Sequence, residues 1–301
     1  MTGGVEAGFL LVDKPSGWTS HDVVAKVRNL MRMKKVGHAG TLDPMATGLV
    51  VVGLGRATRL LRFVQGAPKE YIAKAVFGVA TDSLDADGAI LERSEMEVSQ
   101  AEVEAAMRRF VGTIAQVPPM VSARKVGGRR LYELAREGIE VEREAREIEI
   151  YSLDLVDFAP SKYPEVTFRT VCSTGTYIRT LGDDIAATLG GRAHLSALRR
   201  VRNGSLLVSD AVQIADIEAA AEDGTAADLV LSPRNGLPDL PELVVGDDLA
   251  RGIGSGLSFP LAAASSEDMS EGPVRIVNQD GRMLAVYRVE GGKATPEVVI
   301  A

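Results

Sequence analysis

The chain has 301 residues, of which 46% are hydrophobic, 25% charged and 5% aromatic, and its net charge is −7. This composition is ordinary for a soluble globular protein with room for one large and one small domain, and the low aromatic content does not indicate a stacking-rich single-strand binder. The single cysteine, Cys172, excludes an internal disulfide and a thiolate metal cluster, and its apolar surroundings in VTFRTVC predict a buried small residue. There is no basic N-terminal segment followed by an apolar one, and no apolar run approaches the roughly 18 residues of a membrane span, so we expect a cytoplasmic protein.

Charge is divided unevenly along the chain. Residues 203–301 hold 16 acidic and 6 basic side chains, a balance of −10, whereas residues 1–202 hold 25 acidic and 28 basic ones, a balance of +3. Three basic groups in the first part could contact phosphates, although such a run is more often a solvated face. They are Arg28, Arg32, Lys34 and Lys35; Arg124, Lys125, Arg129 and Arg130; and Arg192, Arg199, Arg200 and Arg202.

In chain order, the first predicted elements surround one loop carboxylate. The apolar run at 8–13 predicts a strand, and Thr19 or Ser20 then caps a helix whose apolar residues recur at helical spacing. The stretch KVGHAGTLDPMATGLVVV, residues 35–52, places Asp43 in a loop broken by glycines and a proline, and the loop runs into an apolar strand at 49–52. A carboxylate held in this way suggests a site, although on spacing alone an Asp before a Pro is more often a simple side-chain turn.

The middle of the chain predicts alternating strands and helices around one long polar segment. Three aspartates in TDSLDADG resemble a calcium loop, but the terminal glutamate is missing, so no metal is predicted there. The segment 118–146 carries PP, GG and the second basic group, and so long a polar segment is more typical of a binding loop than of packing. Helices are predicted at 56–64, from the Ser99–Glu102 capping box to Val111, at 176–189 and at 214–221, and strands at 70–79, 148–158, 166–172 and 194–202.

The last part of the chain predicts a separate small domain. PRNGLPDLP, residues 233–241, has three prolines and one glycine, which favours a domain boundary. The runs VRIVN, MLAVYRV and EVVI that follow it predict a small all-β module.

Arg179 lies in the first turn of the predicted helix 176–189, where a cation faces the positive end of the helix dipole at a cost of about 0.3–1 kcal/mol. A carboxylate partner should offset this cost. The residues leave two candidates about equally favoured, Asp183 at i+4 and the distant Asp43.

Five stretches together resemble a known enzyme family. They are LLVDKPSGWTSHDVV, KVGHAGTLDPMATGLVVVGLGRATR, KEYIAKAVFGVATDSLDADG, PPMVSARKVGGRRLYELAREGIEVEREAR and CSTGTYIRTLGDDI. In this order, over residues 8–202, they resemble the tRNA pseudouridine synthases of the TruB type, which isomerise uridine 55 in the T loop. GTLDPMATG and GTYIRTL are highly specific in combination.

The resemblance implies three catalytic residues. Asp43 matches the family aspartate that acts as nucleophile or stabilises the sugar cation, and its step, whether attack at C1′, addition at C6 or help in removing a proton from C2′, is left open. Arg179 would pair with Asp43 and hold it ionised. Tyr71 would stack on the target base and serve as a base at C2′, although by pattern alone it is an ordinary strand aromatic.

The resemblance also implies substrate-binding residues. His38 would fill the space left by the flipped-out uridine, Tyr177 and Leu198 would line the uracil pocket, and Asp85 would contact the nucleotide or order the pocket. The segment 118–146 corresponds to the family's insertion that clamps the T arm, which gives Arg124, Lys125, Arg129 and Arg130 a phosphate-binding role.

The resemblance further implies the fold and the partners. We expect an α+β pseudouridine synthase fold, with a mixed, mainly antiparallel central sheet flanked by helices, over residues 1–235, and a PUA-like all-β domain over 240–301. The acidity of that last domain departs from what tRNA binding favours. We expect no cofactor, no metal and no membrane, the T arm of tRNA as partner, and a monomer.

Two alternative functions are a noncatalytic RNA-binding or RNA-folding protein and a glycosidase. A glycosidase needs a second carboxylate, and none is evident near the loop.

Overall fold

The computed structural model describes residues 6–122, 125–126, 128–130, 137, 139, 141–264 and 269–300. Its strands are β1 Ala7–Lys14, β2 Val36–His38, β3 Thr47–Gly55, β4 Lys69–Phe77, β5 Val79–Thr81, β6 Ile90–Arg93, β7 Gly112–Gln116, β8 Lys125–Val126, β9 Arg129–Arg130, β10 Arg146–Ala159, β11 Glu165–Cys172, β12 Ala193–Asn203, β13 Leu206–Leu207, β14 Glu242–Val245, β15 Phe259–Pro260, β16 Gly272–Asn278, β17 Met283–Glu290 and β18 Lys293–Val299. The α-helices are α1 Ser20–Leu30, α2 Leu61–Gly66, α3 Gln100–Arg108, α4 Ile178–Thr188, α5 Ile214–Glu222 and α6 Asp247–Ile253.

Most strands and helices predicted by periodicity are confirmed, with shifts of a few residues at their ends. The predicted helix 56–64 is a 3-10 helix over Arg56–Leu60 that continues into α2. Capping boxes open α1 at Thr19 and α3 at Ser99. The prediction that α3 runs to Val111 was wrong, because the helix ends at Arg108 and Gly112, with φ +102°, turns the chain into β7. Strand β7 was not predicted, since Gln116 is its only buried residue and it shows no apolar alternation.

The chain divides into two compact units. The first unit comprises Met1–Asp43, Gly48–Ala67 and Gly204–Ala301, and the second comprises Pro44–Thr47 and Pro68–Asn203. These bounds differ from the predicted domains 1–235 and 240–301, and the predicted domain boundary stays a prediction.

In the first unit, β3 pairs antiparallel with β1 and β2. The predicted all-β module is confirmed as a five-stranded sheet in the order β14-β16-β17-β18-β15. Apolar side chains of this sheet share one hydrophobic core with those of β1 and β3, so the C-terminal strands are packed on the N-terminal ones. The shared core includes Phe9, Leu11, Leu49, Val51, Val286, Val298 and Ile300.

In the second unit, the strands form an antiparallel sheet in the order β12-β4-β11-β10-β7. Side chains alternate along β4, so that Lys69, Tyr71, Ala73, Ala75 and Phe77 are buried on one face. Helix α4 packs on β12 and β4. The Cβ of an alanine at Gly182 would lie 3.0 Å from Leu195 and 3.7 Å from Ala75, which shows how closely the helix approaches this face. The helices and mainly antiparallel sheets confirm the predicted α+β class.

Candidate active site

Asp43 lies in the loop that joins β2 to β3, and its neighbours are fixed by hydrogen bonds. Before it, Ala39 N donates to Val51 O at 2.9 Å, and Leu42 N donates to the hydroxyl of Ser20 at 2.8 Å. Ser20 is fully buried at the start of α1. Gly40 in the loop and Gly48 at the start of β3 also need a left-handed backbone, with φ +98° and +101°, which glycine adopts without a steric cost. The local sequence therefore holds a carboxylate on a fixed turn.

His38 is the last residue of β2, directly opposite Val52 of β3. Its ring packs edge-on against that of His21 on α1, with 5.2 Å between ring centroids and 79° between planes. The histidine predicted to replace a flipped-out base thus lies at the start of the Asp43 loop, in the same unit.

Tyr71 and Leu198 are brought together on the buried face of the second unit's sheet. Tyr71 on β4 lies opposite Thr170 of β11 and Arg200 of β12, and Leu198 lies opposite Ala73, two residues further along β4. Opposite residues of antiparallel strands present their side chains on the same face about 5 Å apart. The predicted base-stacking tyrosine and the predicted apolar wall are therefore diagonal neighbours on this face, about 7–8 Å apart and still within reach of an aromatic side chain.

Buried positive charge flanks Tyr71. Arg200 is only 1% exposed, so it does not belong to the exposed basic group in which the sequence placed it. Lys69 is buried two residues before Tyr71 on the same face, and burial, followed by the charge of Arg200, lowers its pKa to about 8. Burial raises the pKa of Cys172, opposite Lys69 on β11, to about 11, which agrees with the buried role predicted for it. This face of the sheet therefore combines apolar side chains with the buried side chains of Arg200 and Lys69.

Arg179 is 3% exposed in the first turn of α4, and its guanidinium is held by fixed acceptors. Nη1 donates to Ser83 O at 2.5 Å, and Nη2 donates to Val121 O at 2.8 Å. Nη1 also lies 3.2 Å from the Asp85 carboxylate. Charge-assisted hydrogen bonds are the stronger class, so these contacts offset the unfavourable position of a cation at a helix N-terminus.

Asp183 is not the partner of Arg179. Its carboxylate accepts from Arg192 Nε at 2.9 Å and Nη2 at 2.7 Å, and from the backbone N of Ala193 at 2.9 Å. The i+4 alternative for Arg179 was therefore wrong, and Asp85 is a carboxylate partner that spacing did not reveal. The pairing of Arg179 with Asp43 stays a prediction.

Asp85 lies in the loop between β5 and β6. Its Oδ1 accepts from the Ser83 hydroxyl at 2.5 Å, and the backbone of this loop bonds to Leu195 of β12 through Leu84 O and Ala86 N. Leu84 has φ +61°, a conformation that non-glycine residues seldom adopt and that is often found next to functional sites. The loop predicted to order the pocket is thus tied to the strand that carries Leu198.

Tyr177 precedes α4 as its N-cap residue, and no side chain caps the helix there. Instead, the Gln116 side chain accepts a hydrogen bond from the backbone N of Tyr177 and donates one to its backbone O. Sequence reasoning missed Gln116, Ser83 and the Val121 carbonyl. A single Gln or Ser, or a backbone carbonyl, carries no pattern that would indicate such a contact.

The predicted basic clamp is described only in part. Lys125 and Arg130 are backbone partners in the small β8–β9 hairpin, and Arg129 forms a 2.5 Å ion pair with Glu137. Arg124 lies outside the described residues. The phosphate-binding role of these residues stays a prediction.

Within the described residues, no three His, Cys, Asp or Glu side chains are grouped so that they could hold a metal ion. None of the helices in the described ranges is long and apolar enough to cross a lipid bilayer.

Two protein-family models match consecutive parts of the chain. Residues 28–178 match the model for TruB family pseudouridylate synthase (N terminal domain), and residues 179–237 match that for the tRNA pseudouridylate synthase B C-terminal domain. The chain belongs to the TruB family of pseudouridylate synthases. The members of this family are isomerases. Proteins named tRNA pseudouridine synthase B from Geobacillus thermodenitrificans and Thermobifida fusca are both 42% identical to it, over 93% and 98% of this chain and 94% and 98% of theirs.

Solved structures show the same fold. A Cbf5-Nop10-Gar1 complex contains a chain with a TM-score of 0.78 at 24% identity, covering 99% of this chain and 86% of that one. An H/ACA RNP bound to a substrate RNA containing 2′-deoxyuridine gives a TM-score of 0.74 at 23% identity, covering 98% and 85%. The predicted TruB family and pseudouridine synthase fold are therefore confirmed. The roles of the individual site residues stay predictions.

Proposed function

We propose that this TruB-family isomerase converts uridine 55 in the T loop of tRNA into pseudouridine. The observation that carries the proposal is the intact GTLDPMATG loop, with Asp43 beside a fixed Leu42, in a chain similar over nearly its whole length to proteins named tRNA pseudouridine synthase B. The chemistry uses only a carboxylate and a shaped pocket.

In this proposal, the N1–C1′ bond of uridine breaks, the uracil turns, and C5 bonds to C1′. The proton leaves C5 and N1 gains one, so substrate and product are isomers. Asp43 acts as nucleophile or stabilises the positive sugar. Arg179 holds that carboxylate ionised, because a cation within a few ångströms favours the charged form.

The base would be held on the buried face of β4 and β12 described above. Tyr71 stacks on it, and Leu198 and Tyr177 keep water from the broken intermediate. Because Asp85 orients Arg179 through the 3.2 Å contact, its contribution is to order the pocket. His38 occupies the place of the flipped uridine in the T loop, a displacement that costs a few kcal/mol.

We also propose the RNA partner, the cellular location and the oligomeric state of the enzyme. The T arm of tRNA is clamped by Arg124, Lys125, Arg129 and Arg130, and the enzyme acts as a cytoplasmic monomer. The predicted catalytic domain spans residues 1–235, with the PUA-like domain at 240–301.

The test uses an unmodified tRNA transcript, on which pseudouridine is mapped after incubation with the protein. We expect one modified uridine, at position 55, no modification by Asp43→Asn, and unchanged tRNA binding by that variant. Asp154→Asn, the same change at an exposed position on β10, is the matched control and should retain wild-type activity.

Two results would contradict the proposal. Full activity of Asp43→Asn would exclude the role of the carboxylate. Binding of tRNA by the wild-type protein without any pseudouridine would favour the alternative of a noncatalytic RNA-binding or RNA-folding protein.

A further inference from the structure

Gln116 is the last residue of β7, and its buried side chain uses both its amide oxygen and its amide nitrogen in hydrogen bonds to Tyr177. It is 2% exposed. Its Oε1 accepts from Tyr177 N at 2.8 Å, and its Nε2 donates to Tyr177 O at 3.1 Å. One side-chain amide therefore bonds both the N–H and the C=O of a single residue 61 positions away, which fixes the backbone of that residue in position and orientation.

These two bonds act where helix α4 begins. The Tyr177 carbonyl also accepts the hydrogen bond from Leu181 N, at 3.0 Å, that closes the first turn. As the N-cap, Tyr177 has an extended backbone, with φ −96° and ψ 106°, and its own side chain makes no capping bond. From strand β7, Gln116 thus fixes the backbone of the N-cap residue, and its Oε1 accepts from the N-cap N–H as the N3 side chain of a capping box does.

We propose that Gln116 is a positioning residue that sets the place of the Tyr177 side chain in the base pocket, an inference that rests on the proposed function. Arg179, two residues later, has separate anchors at Ser83 O, Val121 O and Asp85. Loss of the Gln116 bonds therefore leaves the guanidinium held and releases mainly Tyr177. The base would still enter the pocket, but one wall would be displaced.

The direct test is Gln116→Met, which keeps the length of the side chain and removes both hydrogen bonds. Ile148→Val is the matched control, because Ile148 is buried on β10, pairs with Ile114 of β7 and does not contact Tyr177 through any described hydrogen bond. For each variant, the single-turnover rate of pseudouridine formation at saturating enzyme and the tRNA Kd are measured on an unmodified transcript. Pseudouridine formation by wild type and control establishes the proposed function independently.

We expect Gln116→Met to lower the single-turnover rate by about 10- to 100-fold, since displacement of a positioning group by about 1 Å can cost about 100-fold. The tRNA Kd should stay within about twofold of wild type, and Ile148→Val should keep the wild-type rate. In a Tyr177→Ala background, Gln116→Met should cause no further loss, because both changes remove the same wall.

A single-turnover rate of Gln116→Met equal to that of Ile148→Val would overturn the proposal while leaving the proposed function intact. Multiplicative losses in the double variant would also overturn it, because Gln116 would then act elsewhere than through Tyr177. If Gln116→Met is poorly folded, Gln116→Leu takes its place, since it also removes both hydrogen bonds and places no charge in the buried site. An inactive wild-type protein would overturn both proposals.

Discussion

Arg179 shows what a single residue requires of its surroundings. Its unfavourable place at the start of a helix is evident from the sequence, since the cost depends only on local position. The compensating groups are Ser83 O, Val121 O and Asp85, all more than 50 positions earlier in the chain. The need for partners was therefore predictable, whereas the identity of Asp85 as one of them was not.

Asp184 lies on helix α4, and its ionised carboxylate lowers the free energy of unfolding. Burial, and then the charge of the adjacent Asp183, raise its pKa to about 6 from 3.8. A carboxyl group whose pKa is raised by folding favours the folded state most below its unfolded pKa, and this contribution falls as the pH rises from about 4 to 6.

We expect Asp184→Asn to raise the free energy of unfolding by about 1–2 kcal/mol near pH 7, after allowance for solvent screening of a partly exposed group. The gain should disappear below about pH 4, where Asp184 is protonated in both states. Urea unfolding over this pH range measures the difference, with Asp154→Asn as an exposed control. An equal gain at every pH would show that ionisation is not the cause.

Among the elements, the Asp43 loop depends on a contact with helix α1. Because Ser20 is buried, Ser20→Ala leaves the Leu42 N–H without its acceptor, which we expect to cost about 1–3 kcal/mol of unfolding free energy. The neighbouring Asp43 would also shift, so the rate of pseudouridine formation should fall by about 10-fold or more. Chemical denaturation and single-turnover assays measure the two effects.

Ser99→Ala, at the start of a different helix, is the control for Ser20→Ala. It removes the cap of α3 and should cost about 0.5–2 kcal/mol, with no change in rate. If Ser20→Ala kept the wild-type rate, the loop would not depend on this contact for its catalytic geometry.

Element boundaries followed local chemistry wherever that chemistry was strong. The capping boxes at Thr19 and Ser99 gave the correct starts of α1 and α3, and the alternation along β4 gave a correct strand. Strand β7 was missed because, among the described strands, it pairs only with β10, and it buries a single residue, Gln116. The residue that breaks the expected pattern is the one that bonds Tyr177.

At the scale of the whole molecule, the division of charge predicts where RNA binds. Arg32, Lys34 and Lys35 are exposed just before β2 and His38, whereas the last third of the chain is acidic. Because contacts between cations and phosphates release counterions, local positive charge should control tRNA affinity more than net charge does.

We expect Lys34→Glu with Lys35→Glu to weaken tRNA binding by about 10-fold or more and to lower the slope of log affinity against log salt by about 1–2. Arg251→Glu with Lys293→Glu makes the same change of net charge on exposed residues of the acidic part and should have little effect. Binding titrations at several salt concentrations compare the two variants. Equal losses would show that only net charge matters.

The packing of the C-terminal strands also depends on the whole molecule. The composition shift after residue 233 indicated a separate module, and its sheet does have a core of its own that includes Ile276 and Tyr287. Val286, Val298 and Ile300 also pack into a second core with Phe9 and Leu11. Composition reports where the character of the sequence changes, and only packing reports which surfaces are buried against each other.

The sequence by itself determined most of the strands and helices, the α+β class and the motif around Asp43, because periodicity, caps and turns act over a few residues. Tertiary structure alone decided that Asp85 pairs with Arg179, that Arg200 is buried beside Tyr71, and that Gln116 holds Tyr177. These contacts join residues that are far apart in the chain and close in space. No local pattern records them, because their free energy arises only when the folded sheet and helices bring them together.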